Sequence, residues 1–374
     1  MTKVDTILKK ITSIYYKDKY YPKLIVTRHW SEDNPEISGE LSFPEAYMFY
    51  LKQQLSALLK LGAKIKVIPS RPITDPYHAK ILDYIDEEHL DIRNKKIFLF
   101  GPERIEISVE RLMHYTGTNV RDFQSNILIT NYDMHMKIFK EIFPDCIKPS
   151  SDVQMPAYHH VEENNSGITI VNIGVGPSNA KTFTDHVCVL KPNFMMMIGH
   201  CGGLRNNQKV GDFVLANTYL RDDKVLDDIL PLKIPVVPNP MLNQLIMDVL
   251  ESRKVDYRIG CVFSSADRDW EFRKDSFMKD ITLSRSIAID MESATVAGNG
   301  YRYRVPNATL LMVSDKPLHG KLKRVEDSMQ FYNASKRLHV EIAIEVVKKS
   351  KQLYPDGFPT NIIRGLYDPL MISK

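Results

Sequence analysis

Cysteine is scarce in this chain: Cys146, Cys188, Cys201 and Cys261 are the four in 374 residues, and no two form a CxxC pair. That spacing excludes a disulfide framework, and reduced thiols in a cytosol are the simplest reading. Histidine and cysteine also lack ligand spacing, so no metal site is expected. No uncharged apolar run approaches the roughly 20 residues needed to span a bilayer, so no membrane partner is expected. The opening stretch MTKVDTILKKITSIYYKDKYYPK has lysines but no apolar core before a small-residue cleavage site, which argues against a secretory signal and for a cytoplasmic protein. Excess charge of one sign is missing too: 50 Lys and Arg against 46 Asp and Glu leave +4. With no basic stretch interleaved with aromatics, nucleic acid is not expected as a partner, whereas a small anionic ligand is compatible. Internal repeats and low-complexity segments are absent.

What is present is an ordinary globular composition, 43% hydrophobic and 26% charged, in a chain long enough for two domains with a core each. Val4, Ile7, Leu8, Ile11, Ile14 and Tyr15 recur at helical spacing, and Leu24–Thr27 reads as a short strand. Phe43–Leu61 reads as a helix with Pro44 in its first turn and Gly62 at its stop, followed by a strand at Ile65–Ile68. Residues 1–122 are therefore expected to form a small α+β domain. From 123 to 374 strands at Ile127–Thr130, Ile168–Ile173, Phe194–Ile198, Phe213–Asn217, Arg258–Ser264, Ile287–Ile289 and Thr309–Val313 alternate with helices. Helical segments are Asp133–Phe143, Met241–Leu250, Glu292–Tyr301 and Asn333–Leu353, and Pro149–Pro156 and Glu162–Gly167 read as loops. Such alternation predicts a mostly parallel sheet between helical layers.

The densest signal is Ile168–Asp223, which opens ITIVNIGVGPSNA. Two apolar runs in it end directly on glycine, at Gly174-Val175-Gly176 and at Gly199-His200-Cys201-Gly202-Gly203, one helix length apart. Corners without side chains let backbone N–H groups approach an anionic or hydroxyl-rich ligand. One such corner is more simply a tight turn, but two at the carboxyl ends of neighbouring parallel strands point to a ligand site.

GVGPSNA, GHCGGLR and VGDFV, followed by AIDMESA (Ala288–Ala294) and LLMVSDKPLHG (Leu310–Gly320), resemble the nucleoside phosphorylase and nucleosidase superfamily. QMPAYH (Gln154–His159), YLRDD, DRDWE and RLMHYTGTNVRDFQ (Arg111–Gln124) extend the similarity to the AMP nucleosidase family within it. The resemblance implies a three-layer α/β/α catalytic domain over 123–374, behind an N-terminal domain of regulatory type. It also implies hydrolysis of AMP to adenine and ribose 5-phosphate, a step of purine nucleotide salvage. A homo-oligomer, expected to be hexameric, activation by magnesium ATP and inhibition by phosphate are implied as well, with no cofactor for the chemistry itself.

Breaking an N-glycosidic bond needs an acid for the departing purine and negative charge or hydrogen bonds for a ribose gaining oxocarbenium character. Asp315, at the carboxyl end of the strand Leu310–Val313, is the candidate acid through the superfamily's Ser-Asp; taken alone it reads as a helix cap or a partner of Lys316. Glu292, just after a buried strand, can accept both ribose hydroxyls, with Met291 packing under the sugar or simply filling the core. Asp290 is ambiguous, since an acid there also suits a helix N-terminus. Trp270 is read equally as a stacking partner for the purine and as a core residue. Asn131, Tyr132, Gly174, Gly176, Ser178, His200, Cys201, Gly202 and Lys316 complete the substrate-binding set carried by the motif loops.

Phosphorylases of the superfamily hold phosphate with an arginine three residues before the hydroxyl residue of their Gly-Ser turn. Met197 and His200 stand at those places here, which favours water as nucleophile. The residue activating that water is unassigned, His200 and His135 being weak candidates. For a 5′-phosphate, His114, Thr116, Gly117 and Thr118, flanked by Arg111 and Arg121, offer hydroxyls and a glycine, while Arg268, Lys181, Lys316 and His319 offer cations. Two other functions fit the residues less well: a purine nucleoside phosphorylase or nucleosidase acting on unphosphorylated nucleosides, and a nucleotide-binding regulator without turnover.

Overall fold

The computed structural model describes residues 2–27, 36–73, 100–319 and 329–358. The first helix, α1 (Lys3–Tyr16), is started by a reciprocal cap in which the Asp5 N–H donates to the Thr2 hydroxyl and the Thr2 N–H to the Asp5 carboxylate. Its stripe Ile7, Leu8, Ile11, Ile14 and Tyr15 is buried against a three-stranded antiparallel sheet. In that sheet β1 (Tyr20–Thr27) lies between β2 (Glu36–Glu40) and β3 (Lys64–Pro72). The expected helix at 43–61 is split. Phe43 sits at φ 45° with no side-chain cap, Pro44–Tyr47 make a tight 3-10 turn, and α2 proper is Met48–Lys60. Next comes α3 (Pro102–Thr116), whose C-terminal part carries the start of the RLMHYTGTNVRDFQ segment.

The second sheet has eight strands: β4 (Asn126–Thr130), β5 (Ala157–His160), β6 (Ile168–Asn172), β7 (Phe194–Gly203), β8 (Phe213–Asp222), β9 (Tyr257–Ser265), β10 (Ala288–Asp290) and β11 (Asn307–Asp315). Their order is β10-β9-β8-β11-β7-β4-β6-β5. β11, β7, β4 and β6 are mutually parallel, and β8, β9 and β10 form a second parallel group joined antiparallel to β11. β10 also pairs antiparallel with the far end of β7, curling the sheet back on itself. Connecting helices are α4 (Asp133–Ile142), α5 (Pro177–Val187), α6 (Pro240–Ser252), α7 (Lys274–Ser284), α8 (Ser293–Tyr303) and α9 (Met329–Leu353).

Strand alternation sorts the core onto the two faces. Phe194, Met196 and Ile198 of β7, with Leu310 and Met312 of β11, pack under α4, α6 and α9. Met195, Met197, Leu311 and Val313 face α5 and α8. This is the three-layer α/β/α architecture. Apolar side chains of α1, α2 and α3 join the second of these clusters, so the N-terminal core is continuous with the sheet's rather than separate. Packing of α3 on α5 makes the connection. Among the described residues no helix is long and apolar enough to cross a membrane.

Two readings of the glycine-rich stretch are corrected here. β6 and β7 are not neighbours, because β4 lies between them. Nor is Gly199–Gly203 a turn, since β7 runs straight through it. A Cβ on Gly203 would stand 2.9 Å from Val313 Cγ1, and one on Gly202 would stand 3.1 Å from Ile289 Cγ2. These glycines let β10 and β11 close on the end of β7, a packing requirement rather than a backbone cradle.

Candidate active site

A cavity of about 210 Å³ opens where β4, β6, β7, β10 and β11 end or run past one another. Asn131, His200, Cys201, Gly202, Arg268, Trp270, Met291, Glu292 and Asp315 line it, all candidates from the motifs. Val175, Asp267, Glu271, Ile289, Asp290, Ser314 and Pro317 complete the wall.

Glu292 is the most constrained group. Three buried residues of β10 deliver it to the mouth of α8, almost wholly buried. One carboxylate oxygen accepts the Gly176 N–H at 2.6 Å, and the other accepts the Asn131 amide at 3.0 Å. Gly176 makes this contact from φ 110° and ψ 155°, a conformation open essentially to glycine alone. Burial, reinforced by the Asp290 charge, pushes the Glu292 carboxyl well above the usual carboxylate range.

Asp290 has a different task. Its oxygens accept the Ser264 hydroxyl at 2.6 Å, the Ser293 N–H at 2.9 Å and the Ser293 hydroxyl, while Ser264 in turn accepts the Ala294 N–H. It therefore anchors the start of α8. Burial raises its pKa, but these donors pull it back, so within the pair Asp290 ionises first.

Asp315 is aimed by an irregularity. β11 pairs with β7 in register up to Val313 opposite Cys201, then shifts so that Asp315 stands opposite Gly202. Ser314 is the extra residue, and its hydroxyl donates to Asp315 at 2.5 Å. Burial and the charges of Asp290 and Asp315 hold the Cys201 thiol in its protonated form.

Beneath the cavity α5 and α8 are tied by the buried carboxylate of Asp185. It accepts Asn299 at 2.8 Å, Arg302 at 3.3 Å and Lys181 at 2.5 Å. Nothing in the motifs pointed to this network, whose Asp185 and Asn299 fall on helix faces that read as ordinary packing.

Other candidates lie off the cavity. Tyr132 stands behind His200, ring centroids 4.3 Å apart. Gly174 donates its N–H to the Asn172 side chain, and Ser178 is exposed in the first turn of α5. Lys316 is buried and turned away, donating to Asn206 O at 2.6 Å. Lys181 is held by Asp185, and His319 lies against Leu204 O, which leaves Arg268 as the candidate cation on the cavity wall among the described residues. The expected phosphate clamp at 114–118 is displaced altogether. Gly117 caps α3, the Thr116 hydroxyl returns to Leu112 O, and Thr118 is bound through His159 to Thr169 in the first half of β6. Helix capping and internal hydrogen bonds consume both hydroxyls, and His114 is exposed on the α3 surface. Trp270 packs with Phe263, Phe277 and Ile281, as its core reading expects, and it also reaches the cavity wall.

Residues 154–348 match the model of the phosphorylase superfamily. AMP nucleosidase of Escherichia coli K12 is 37% identical to this chain over 407 aligned positions, covering 87% of this chain and 84% of the relative. The chain belongs to the AMP nucleosidase family of the phosphorylase superfamily. The crystal structure of AMP nucleosidase from Bacteroides thetaiotaomicron superposes with a TM-score of 0.56 at 26% identity, covering 66% of this chain and 98% of that one. Purine nucleoside phosphorylase from Toxoplasma gondii, at 17% identity and TM-score 0.55 over 64% of this chain and 98% of its own, shares the fold. The two carboxylates meet in one cavity although β10 lies at the far edge and β11 in the middle of the sheet order, because β10 and β11 both pair with the end of β7.

Proposed function

We propose that this protein hydrolyses the N-glycosidic bond of AMP, releasing adenine and ribose 5-phosphate. The observation that carries the reading is the convergence of Glu292 and Asp315 on one cavity in a chain of this family. In this reading the ribose diol donates to Glu292 alongside the Gly176 N–H and the Asn131 amide, which leave acceptor sites open on both oxygens. The diol's hydrogen bonds favour the charged form, so Glu292 gives up its proton to solvent on substrate binding, and the resulting carboxylate favours the cationic character growing at C1′. Asp315 protonates the purine as the C1′–N9 bond breaks. Trp270 and Met291 cover the base and the sugar, and Arg268 meets the anionic end of the substrate. No cofactor enters these steps.

We extend the reading to a cytoplasmic homo-hexamer activated by magnesium ATP, for which light scattering and a titration of turnover with the nucleotide are the checks. The reaction itself is tested by chromatography of purified protein given AMP or adenosine, each with and without inorganic phosphate. Adenine from AMP without added phosphate is the expected result. Release from adenosine only when phosphate is added would reassign the chain to phosphorolysis.

A further inference from the structure

We infer that Asn131 is a catalytic residue that holds the attacking water, its side-chain oxygen accepting one water hydrogen and so turning a lone pair toward C1′. This rests on the hydrolytic reading above. Asn131 directly follows β4 and lines the cavity. In the sheet β7 lies between β4 and β11, so Asn131 and Asp315 reach the cavity from opposite sides of β7. Two strand spacings put roughly 10 Å between the backbones of β4 and β11, room for a sugar carbon and a water between side chains reaching in from either side. With Asp315 at the purine and Glu292 at the diol, the face of C1′ turned away from the departing base opens toward β4. Water must approach on that face.

The two ends of the Asn131 carboxamide are unlike, and Glu292 decides which way they point. Nδ2 donates to Glu292 Oε2 at 3.0 Å. Once Glu292 is ionised beneath the ribose that oxygen can only accept, so turning the amide over would set two acceptors against each other. Oδ1 is therefore fixed as an acceptor on the side away from the carboxylate. It lies above Gly199 of β7, 3.3 Å from where a Cβ would stand, and the glycine brings no side chain over it. Among the described residues no group donates to Oδ1, and the atom is not sealed from solvent. An accessible acceptor of this kind takes a water. Being neutral, the amide does so without placing a second negative charge beside Glu292. A carbon with oxocarbenium character accepts neutral water, so the water needs aim rather than prior loss of a proton.

In the step itself the water oxygen bonds to C1′ as C1′–N9 breaks, and the purine leaves with the bonding pair and the proton from Asp315. The new C1′ oxygen then sheds one proton to solvent, and Asp315 takes one up. AMP and water thus give adenine and ribose 5-phosphate with no net change in protons.

The test uses Asn131→Ala and Asn131→Asp in the full-length protein, with AMP, with 2′-deoxy-AMP and with added methanol. At unchanged circular dichroism, Asn131→Ala should lower kcat for AMP about 10- to 100-fold while calorimetric affinity for ribose 5-phosphate stays within about threefold of wild type. The same loss should appear with 2′-deoxy-AMP, because the water does not depend on the 2′-hydroxyl. Methanol should capture a larger share of the sugar, read as methyl riboside 5-phosphate against ribose 5-phosphate, since water no longer has a reserved place. Asn131→Asp keeps an acceptor there and should retain kcat within about tenfold of wild type. A kcat for Asn131→Ala within about twofold of wild type, or an unchanged methanol share, overturns the inference. So does a loss confined to AMP, which would assign Asn131 to the 2′-hydroxyl, or an Asn131→Asp protein as slow as Asn131→Ala. Failure of the wild type to release adenine from AMP would instead overturn the hydrolytic reading.

Discussion

Asn131 and Glu292, 161 residues apart in sequence, meet at 3.0 Å through the Asn131 amide. The contact joins the end of β4 to the start of α8, and with the Gly176 N–H it fills both oxygens of a buried carboxylate. Replacement of Glu292 by Gln removes the charge while keeping the shape, and kcat/KM for AMP should fall about 100-fold or more. Adenine release measured by chromatography decides this.

The same residue makes a prediction about pH. Its carboxyl is raised in the folded protein above its ordinary value of 4.5. Above that value the unfolded chain has lost the proton while the native state retains it, so the native state binds more protons and stability falls as pH rises. The fall continues until the raised folded-state value is passed. Glu292→Gln should therefore gain melting temperature over wild type as pH goes from about 5 to 8. A constant difference across that range would show that Glu292 is ionised in the free protein.

Asp315→Asn should leave the fold intact and reduce adenine release about 10²- to 10⁴-fold. A substrate whose leaving group needs no proton, such as a nitrophenyl riboside 5-phosphate, should recover most of the rate. Equal losses on both substrates would remove Asp315 from the role of acid.

Asp185 is placed to act on stability rather than chemistry. Asp185→Ala strands Arg302, whose side chain is 7% exposed, and should cost about 3–5 kcal/mol in denaturant unfolding. Gly176→Ala meets no atom within 4 Å, so its effect is conformational. It should cost about 1–3 kcal/mol and depress turnover along with stability, because the N–H that steadies Glu292 is re-aimed.

Thr118→Val tests the relocation of the HYTGT segment. Loss of its bond to His159 should cost about 1 kcal/mol while the KM for AMP stays unchanged. A large rise in KM would return that segment to the phosphate.

The strands of the second sheet were legible because runs such as Ile127–Thr130 and Phe194–Ile198 are continuously apolar, as befits strands covered on both faces. β5, with only four residues and histidines at two of them, carried no such pattern, and α7 alternates too weakly to stand out. Asp315 could be named only through its resemblance to the superfamily's Ser-Asp, since alone it reads as a helix cap, and Glu292 through the family's Met-Glu and its place just after a buried strand. The contacts of Gly176 and Asn131 with Glu292 were not legible, since Gly176 acts through its backbone, nor was the Asp185 network, whose helices meet only after folding. HYTGT misled for a related reason: hydroxyls and a glycine suit an anion and a helix cap equally well, and only the position of β6 distinguishes them. Met197, which replaces a phosphorylase arginine, proved to be fully buried core.

β7 is bonded to β11 along most of its length, to β4 over Phe194–Met197 and to β10 at its tip. For anyone wishing to redirect this scaffold to other nucleotides, that strand leaves little to vary. Neighbours hold its backbone on both edges, and its glycines are set by how closely those neighbours approach. The freedom lies at the rim, where Arg268, Glu271 and Val175 sit on exposed loops and first turns, so a library confined to those three positions would explore selectivity without touching the floor on which the bond is broken.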